Sequence, residues 1–285
     1  MSSKYLESLY PSYGQSFNMD KVLFESKTEH QHLVIFENEQ FGRVMALDGI
    51  IQTTEKDEFI YHEMLTHVPL LAHQNPKKVL IIGGGDGGIL RETLKHQQLE
   101  KIVQVEIDRA VIDMCKEYFP NHSQGAFDDP RATIVIDDGI HFVRECQEKF
   151  DIIISDSTDP IGPGEVLFTN DFYRLAKNCL NEGGIMVAQN GVVMMQPDEV
   201  VNTRLRMGQY FAEQSFYTVA VPTYVGGAMT LAWGTDEPQH RQTDLETVRQ
   251  RYVASGIKTR YYNPEMHTAA FALPQYVIEL LKKTS

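Results

Sequence analysis

Along this chain the spacing of apolar residues starts with a period of two, becomes helical, and then alternates between the two. Up to about residue 55 the apolar residues fall in short runs at 22–25, 32–36, 42–47 and 50–53 that read as strands, with Asp48-Gly49 as a hairpin signal before the last. From 57 to 71 the side chains of Phe59, Ile60, Met64, Leu65 and Val68 recur on one helical face. Beyond Asn75-Pro76, strand-like runs at 79–82, 102–105, 132–136, 151–154 and 185–189 are separated by helical stretches at 89–97, 109–118, 141–148 and 171–180. The pattern predicts a loop over 120–130, a turn at Glu182-Gly183-Gly184, a helix over 197–211, and a closing antiparallel hairpin from 216–221 and 228–233 across Gly226-Gly227.

Strand and helix in alternation predict an α/β fold with a mainly parallel sheet. Seven strands with a final hairpin specify a Rossmann-like sheet of the type found in nucleoside-dependent methyltransferases, preceded by a small N-terminal antiparallel β-domain. The expected division is 1–55 for the β-domain and 56–285 for the Rossmann-like domain. A sheet so small needs a surface to pack on, so it is expected to cover its neighbour or a second subunit.

The first strand of the α/β part breaks into Gly83-Gly84-Gly85-Asp86-Gly87-Gly88, and about twenty residues later the second ends in Glu106-Ile107-Asp108. Strand, glycine turn, helix, strand and acid make a nucleoside-binding unit in which the acid accepts from ribose hydroxyls. Asp86 changes the expected ligand. A pyrophosphate on the helix N-terminus would be repelled by a carboxylate in that loop, whereas a cationic nucleoside such as a sulfonium would be attracted. The plainer reading of Asp86, as a helix cap, stays open.

In open α/β sheets ligands lie beyond the carboxyl ends of the strands. Four successive strands end there in acids: Asp86, Glu106, Asp138 and the pair Asp156 and Asp159. Together they form a negative cleft suited to cations. Glu106 suits ribose hydroxyls, and Asp138-Gly139 suits an adenine edge. After Asp156 and Asp159 the Pro160-Ile161-Gly162-Pro163-Gly164 loop is stiff enough to close over substrate in a defined shape, or it is a surface turn with Asx caps. The histidines His62 and His67 stand at i and i+5, on different helix faces, which rules out the zinc spacing of i and i+4.

Composition narrows the partners. The 285 residues are enough for a full core, and the net charge of −13, without clustered Lys and Arg, argues against nucleic acid. Cys115, Cys146 and Cys179 are far apart and odd in number, and read as small core residues rather than a disulfide framework. No segment reaches membrane-span length, so a cytoplasmic protein with no membrane partner is expected.

The glycine-Asp86 loop, the Glu106-Ile107-Asp108 triplet, Asp137-Asp138-Gly139 and Asp156-Ser157-Thr158-Asp159-Pro160 resemble the polyamine aminopropyltransferases, most closely the bacterial spermidine synthases. The likeness extends to Leu47-Asp48-Gly49 with Gln52, the Asp57-Glu58-Phe59-Ile60-Tyr61-His62-Glu63 segment, Pro222-Thr223-Tyr224 and Tyr261-Tyr262-Asn263-Pro264. It implies transfer of an aminopropyl group from decarboxylated S-adenosylmethionine, a co-substrate rather than a cofactor, to putrescine, giving spermidine and methylthioadenosine. It also implies small-molecule substrates alone, no metal, and a homodimer or homotetramer. By the same resemblance Asp156 is the proton acceptor, and Asp159, Tyr61, Tyr224, Ser157 and Thr158 surround the attacking amine. His62 and Asp86 contact the amine or aminopropyl chain; Gln31, Glu106, Asp138, Gly139, Pro163 and Gln52 contact the nucleoside.

The chemistry needs such a cleft. Two cations about 4 Å apart repel by roughly 4 kcal/mol at an effective dielectric near 20. An aspartate is nevertheless a poor match for an alkylammonium of pKa near 10, so positioning and desolvating the amine are expected to contribute beside base catalysis. The segment Ala188-Gln189-Asn190-Gly191-Val192-Val193-Met194-Met195 offers no carboxylate for a far amine, and its two methionines read as pocket wall or core. A methyltransferase using intact S-adenosylmethionine is the nearest rival, and Asp86 beside that cofactor's carboxylate argues against it; an idle nucleoside-binding scaffold would not need Asp156 and Asp159.

Overall fold

A computed structural model describes residues 3–158 and 162–283. The chain opens with an antiparallel pair, β1 (Ser3–Leu6) and β2 (Ser16–Met19), followed by a four-stranded antiparallel sheet in sequence order: β3 (Lys21–Lys27), β4 (His32–Asn38), β5 (Gly42–Leu47) and β6 (Ile50–Thr54). The hairpin at Asp48-Gly49 has positive φ at both residues, 49° and 90°, as a two-residue turn between twisted strands requires. The β1–β2 pair was not expected from the sequence, because four residues show too few alternations to register as a period.

Helix α1 (Glu58–Ala72) leads into the larger sheet. There β7 (Lys78–Gly83), α2 (Gly88–Leu94), β8 (Lys101–Glu106), α3 (Arg109–Tyr118), α4 (Pro120–Ser123), β9 (Ala132–Ile136), α5 (Gly139–Glu145) and β10 (Phe150–Asp156) follow in turn. Then come α6 (Asn170–Asn178), β11 (Leu180–Val192), α7 (Pro197–Met207), β12 (Glu213–Val219) and β13 (Met229–Thr235), with α8 (Leu245–Ser255), α9 (Pro264–Ala270) and α10 (Gln275–Lys282) completing the chain. The strand order is β12-β13-β11-β10-β7-β8-β9, parallel from β11 to β9, with β13 antiparallel to both neighbours. The order reverses between β7 and β10, which places a crevice at their carboxyl ends.

Alternation along each strand sorts the core into two layers. Val79, Ile81, Ile152 and Ile154 face α1 residues Met64, Leu65 and Val68, while Leu80, Ile82 and Ile153 face Val143, Phe172 and Val200 from α5, α6 and α7. The small sheet is covered on both sides: Leu33, Ile35, Met45 and Leu47 pack on Val111, Cys115 and Phe119 of α3 and its end, and Val34, Phe36, Val44 and Ala46 pack on Phe17 of β2. It therefore covers its own neighbour, as expected.

Three local readings need correction. Residues 120–123 form α4 and Ala126–Asp128 a 3-10 turn where a loop was expected, because the stretch begins with Pro120 at a helix N-terminus. The Glu182-Gly183-Gly184 turn lies inside β11 as an irregularity, with the pairing register to β10 shifting between Phe150 and Ile152 and Gly183 at φ 72°. Met194 is 61% exposed, neither wall nor core, whereas Met195 packs against the core.

Candidate active site

The pocket at the β7/β10 reversal is lined by Gln31, Gln52, Tyr61, His62, Asp86, Glu106, Asp138, Gly139, Asp156, Ser157, Thr158 and Tyr224 together. Asp159 lies outside the described residues, and so does the Pro163 side chain. The loop reading of 160–164 falls partly there too; from Gly162 to Phe168 the backbone is a 3-10 helix.

The glycine loop lets side chains from other elements come close. A Cβ on Gly83, at φ 87°, would stand 1.8 Å from the Asp156 carbonyl, and one on Gly88 would stand 2.2 Å from His62 Nδ1. The loop is held from below by Gln104 of β8, whose Nε2 donates to the Gly83 and Gly84 carbonyls at 3.0 and 2.6 Å. Asp86 uses one oxygen to accept from Gly88 N–H at 2.8 Å and places the other 3.2 Å from His62 Nε2, so it both braces the helix start and faces the pocket.

Tyr61 and His62, adjacent on α1, are both 3% exposed, more buried than the helix pattern indicated. Tyr61 Oη donates to Asp156 Oδ1 at 2.6 Å. Tyr224 meets the Tyr61 ring edge-on at 5.6 Å and donates to the Gln52 carbonyl at 2.8 Å. Its segment is pinned by Asp57, whose Oδ2 accepts from Thr223 N–H at 3.0 Å and from Thr223 Oγ1 at 2.8 Å. His67 faces away from the pocket toward Glu92 and His96, which agrees with the rejection of a zinc pair.

Burial divides the acids. Burial and the neighbouring Asp86 charge raise Asp156 to about 6, with the Tyr61 hydrogen bond and His62 opposing. Burial, with Asp108 and Asp156 nearby, raises Glu106 to about 7. Asp86 goes the other way: burial opposes its charge, but His62 and the Gly88 N–H hold it well below the usual carboxylate range. Two carboxylates facing one pocket thus differ in proton affinity because one has a cationic partner and the other a phenol.

The small sheet supplies the pocket's other wall. Gln31 Nε2 donates to Asp108 Oδ2 at 3.2 Å, and Thr28 Oγ1 donates to the same oxygen at 2.7 Å, tying the β3–β4 turn to the start of α3. Asp108 N–H donates to Glu106 Oε1 at 3.0 Å. Asp138 caps α5 by accepting from Ile140 N–H. Sequence reading missed Glu7, Tyr10, Gln189 and Gln196, which also line the pocket. Gln189 Oε1 is buried and, among the described residues, has no hydrogen-bond partner. The one available signal was that Gln189 closes the apolar run at 185–189; in the structure β11 continues past it to Val192.

The chain matches two family models, a spermine/spermidine synthase domain over residues 58–244 and a spermidine synthase tetramerisation domain over 5–55. It is 63% identical to the polyamine aminopropyltransferase of Pseudomonas syringae pv. tomato over 283 residues, 99% of each chain. It is also 63% identical to polyamine aminopropyltransferase 1 of Pseudomonas aeruginosa over 281 residues, covering 99% of this chain and 98% of that one. A crystal structure of spermidine synthase in complex with the transition state analogue AdoDATO superposes with a TM-score of 0.94 at 40% identity, covering 99% of this chain and 95% of that one. Spermidine synthase from Thermotoga maritima superposes at 0.90 with 38% identity, over 98% and 94%. The fold and pocket are those of a Rossmann-like group-transfer enzyme. The chain belongs to the spermine/spermidine synthase family of polyamine aminopropyltransferases.

Proposed function

We propose that this enzyme is a spermidine synthase, transferring the aminopropyl group of decarboxylated S-adenosylmethionine to putrescine. The observation that carries the reading is the meeting of Asp86 and Asp156 across the glycine loop, one carboxylate held ionised and the other raised to about 6. The putrescine nitrogen attacks the methylene carbon bonded to the sulfonium. The carbon–nitrogen bond forms as the carbon–sulfur bond breaks, the electron pair passes to sulfur to give neutral methylthioadenosine, and the proton leaving nitrogen goes to the Asp156 carboxylate. An acceptor raised toward neutrality is better matched to this proton than an ordinary aspartate, and Tyr61 and Tyr224 wall the amine from water. Asp86 and His62 take the aminopropyl end; Glu106, Asp138, Gly139, Gln31 and Gln52 take the nucleoside, and a nucleoside contact from Pro163 rests on the family resemblance alone. Ser157 and Thr158 complete the amine site, and a role for Asp159 there rests on the family resemblance alone. Glu7 and the unpartnered Gln189 oxygen offer acceptors for the far ammonium. The reaction needs no cofactor beyond its two substrates.

The matched tetramerisation model over 5–55 supports assembly as a homodimer or homotetramer through the small sheet. The activity is tested by mass spectrometry after incubation with decarboxylated S-adenosylmethionine and a mixture of putrescine, cadaverine, agmatine and spermidine. An aminopropyl increment on putrescine is expected; an increment on spermidine alone would make the enzyme a spermine synthase.

A further inference from the structure

The glycine loop does not hold Asp86 alone. His62 Nε2 lies 3.2 Å from Asp86 Oδ2, and on the other side of the ring Nδ1 lies 2.6 Å from Glu58 Oε2, one turn back along α1. A neutral imidazole has a single N–H and could serve only one of two ionised carboxylates. Hydrogen bonds to both require the doubly protonated ring. Glu58 is gripped in turn by Arg91, with Nη2 2.9 Å from Oε2 and Nη1 3.3 Å from Oε1; Arg91 Nε reaches Glu92 at 2.8 Å. The four side chains His62, Glu58, Asp86 and Arg91 are exposed by 4, 8, 7 and 8%. Gly88, with no Cβ to meet the ring, closes the remaining side.

We propose that Glu58 is a positioning residue of the transfer reaction, acting through His62 to keep the ring a double donor that orients Asp86 toward the cationic chain of the nucleoside. The inference rests on the functional reading above. The other polar groups facing the ring are His122 of α4, whose ring is 6.3 Å away and which burial keeps from charging, Arg91 of α2, Asp156 at the end of β10, and the neighbouring Tyr61. Without the Glu58 carboxylate, Asp86 and Asp156 alone would support the ring's charge, and Arg91 would oppose it. A ring that loses its proton no longer offsets the charge of Asp156, which then keeps its own proton to higher pH.

The test is a double-mutant cycle of Glu58→Gln and His62→Gln, with kcat and KM for decarboxylated S-adenosylmethionine measured across pH. Glu58→Gln is expected to lower kcat/KM by about tenfold, the loss of one charged hydrogen bond, and to move the acid limb of the profile to higher pH. In the His62→Gln background it is expected to add little. Additive losses, or an unmoved acid limb, would overturn the role. Because Arg91 loses a partner in Glu58→Gln, a second measurement uses the wild-type chain: nitrogen-15 NMR of labelled histidine at pH 8, where His62 is expected as an imidazolium. A neutral His62 ring in an active enzyme overturns the relay alone. Absence of aminopropyl transfer by the wild-type chain overturns the functional reading, and the role in transfer with it.

Discussion

Tyr61 Oη donates to Asp156 Oδ1 at 2.6 Å, joining the first turn of α1 to the end of β10. This bond favours the charged form of an aspartate that burial and Asp86 otherwise push toward protonation. Removing it in Tyr61→Phe is expected to raise Asp156 above about 6, so the acid limb of kcat/KM moves to higher pH and activity at pH 7 falls. A pH-rate profile with the same limb as wild type would remove Tyr61 from the control of Asp156.

Asp156→Asn is expected to lower kcat by roughly 10²- to 10⁴-fold, the usual range for a lost general base, while methylthioadenosine still binds. Calorimetric titration alongside turnover separates the two, and unchanged turnover across the pH range would exclude Asp156 as the acceptor. The same variant tests burial. A carboxyl whose folded pKa is raised contributes stability that is full below its ordinary value of 3.8 and is lost as pH rises through about 6. Asp156→Asn is therefore expected to melt higher than wild type at pH 8, with the gap narrowing by pH 4.

Glu58 and His62 set opposite limits on stability. Burial opposes the Glu58 charge, but His62 and Arg91 together lower the group from 4.5 to about 2, so its contribution is present above 4.5 and lost as pH falls toward 2. His62 rises from 6.5 to about 10 because Asp86 and Glu58 outweigh its burial, so its contribution is present below 6.5 and lost between 6.5 and 10. His62→Gln is expected to flatten the decline of Tm between pH 7 and 10. A decline of the same slope in the variant would locate the alkaline loss elsewhere.

Assembly through the small sheet predicts a mass of at least two chains by size-exclusion chromatography with light scattering at micromolar concentration. A mass of 32.5 kDa would show a monomer and rule out the proposed oligomer.

Much of the frame was legible in the sequence because its signals are local. Val79 to Ile82 alternate between two helical layers, Asp48-Gly49 supplies the two positive φ angles of a hairpin, and each acid either ends its strand or lies within three residues of its end. Strand ends in an open parallel sheet converge on one side, so the positions of Asp86, Glu106, Asp138 and Asp156 in the chain already implied a shared pocket. The C-terminal helices α8 to α10 escaped notice: in α8 and α9 the buried residues are few, Val248 in one and Pro264, His267 and Ala270 in the other.

What the sequence by itself determined was therefore the order of elements, the glycine loop and the row of strand-end acids, all properties of neighbours in the chain. Only the tertiary structure decided which acids bind a proton more tightly than usual and which less. That depends on Tyr61 meeting Asp156 across 95 residues, on His62 lying between Glu58 and Asp86, and on the exclusion of water from all of them. It also brought Glu7 from the N-terminus and Gln189 from β11 into one pocket. Desolvation and pairing act through space, and the spacing of residues along a chain does not encode them.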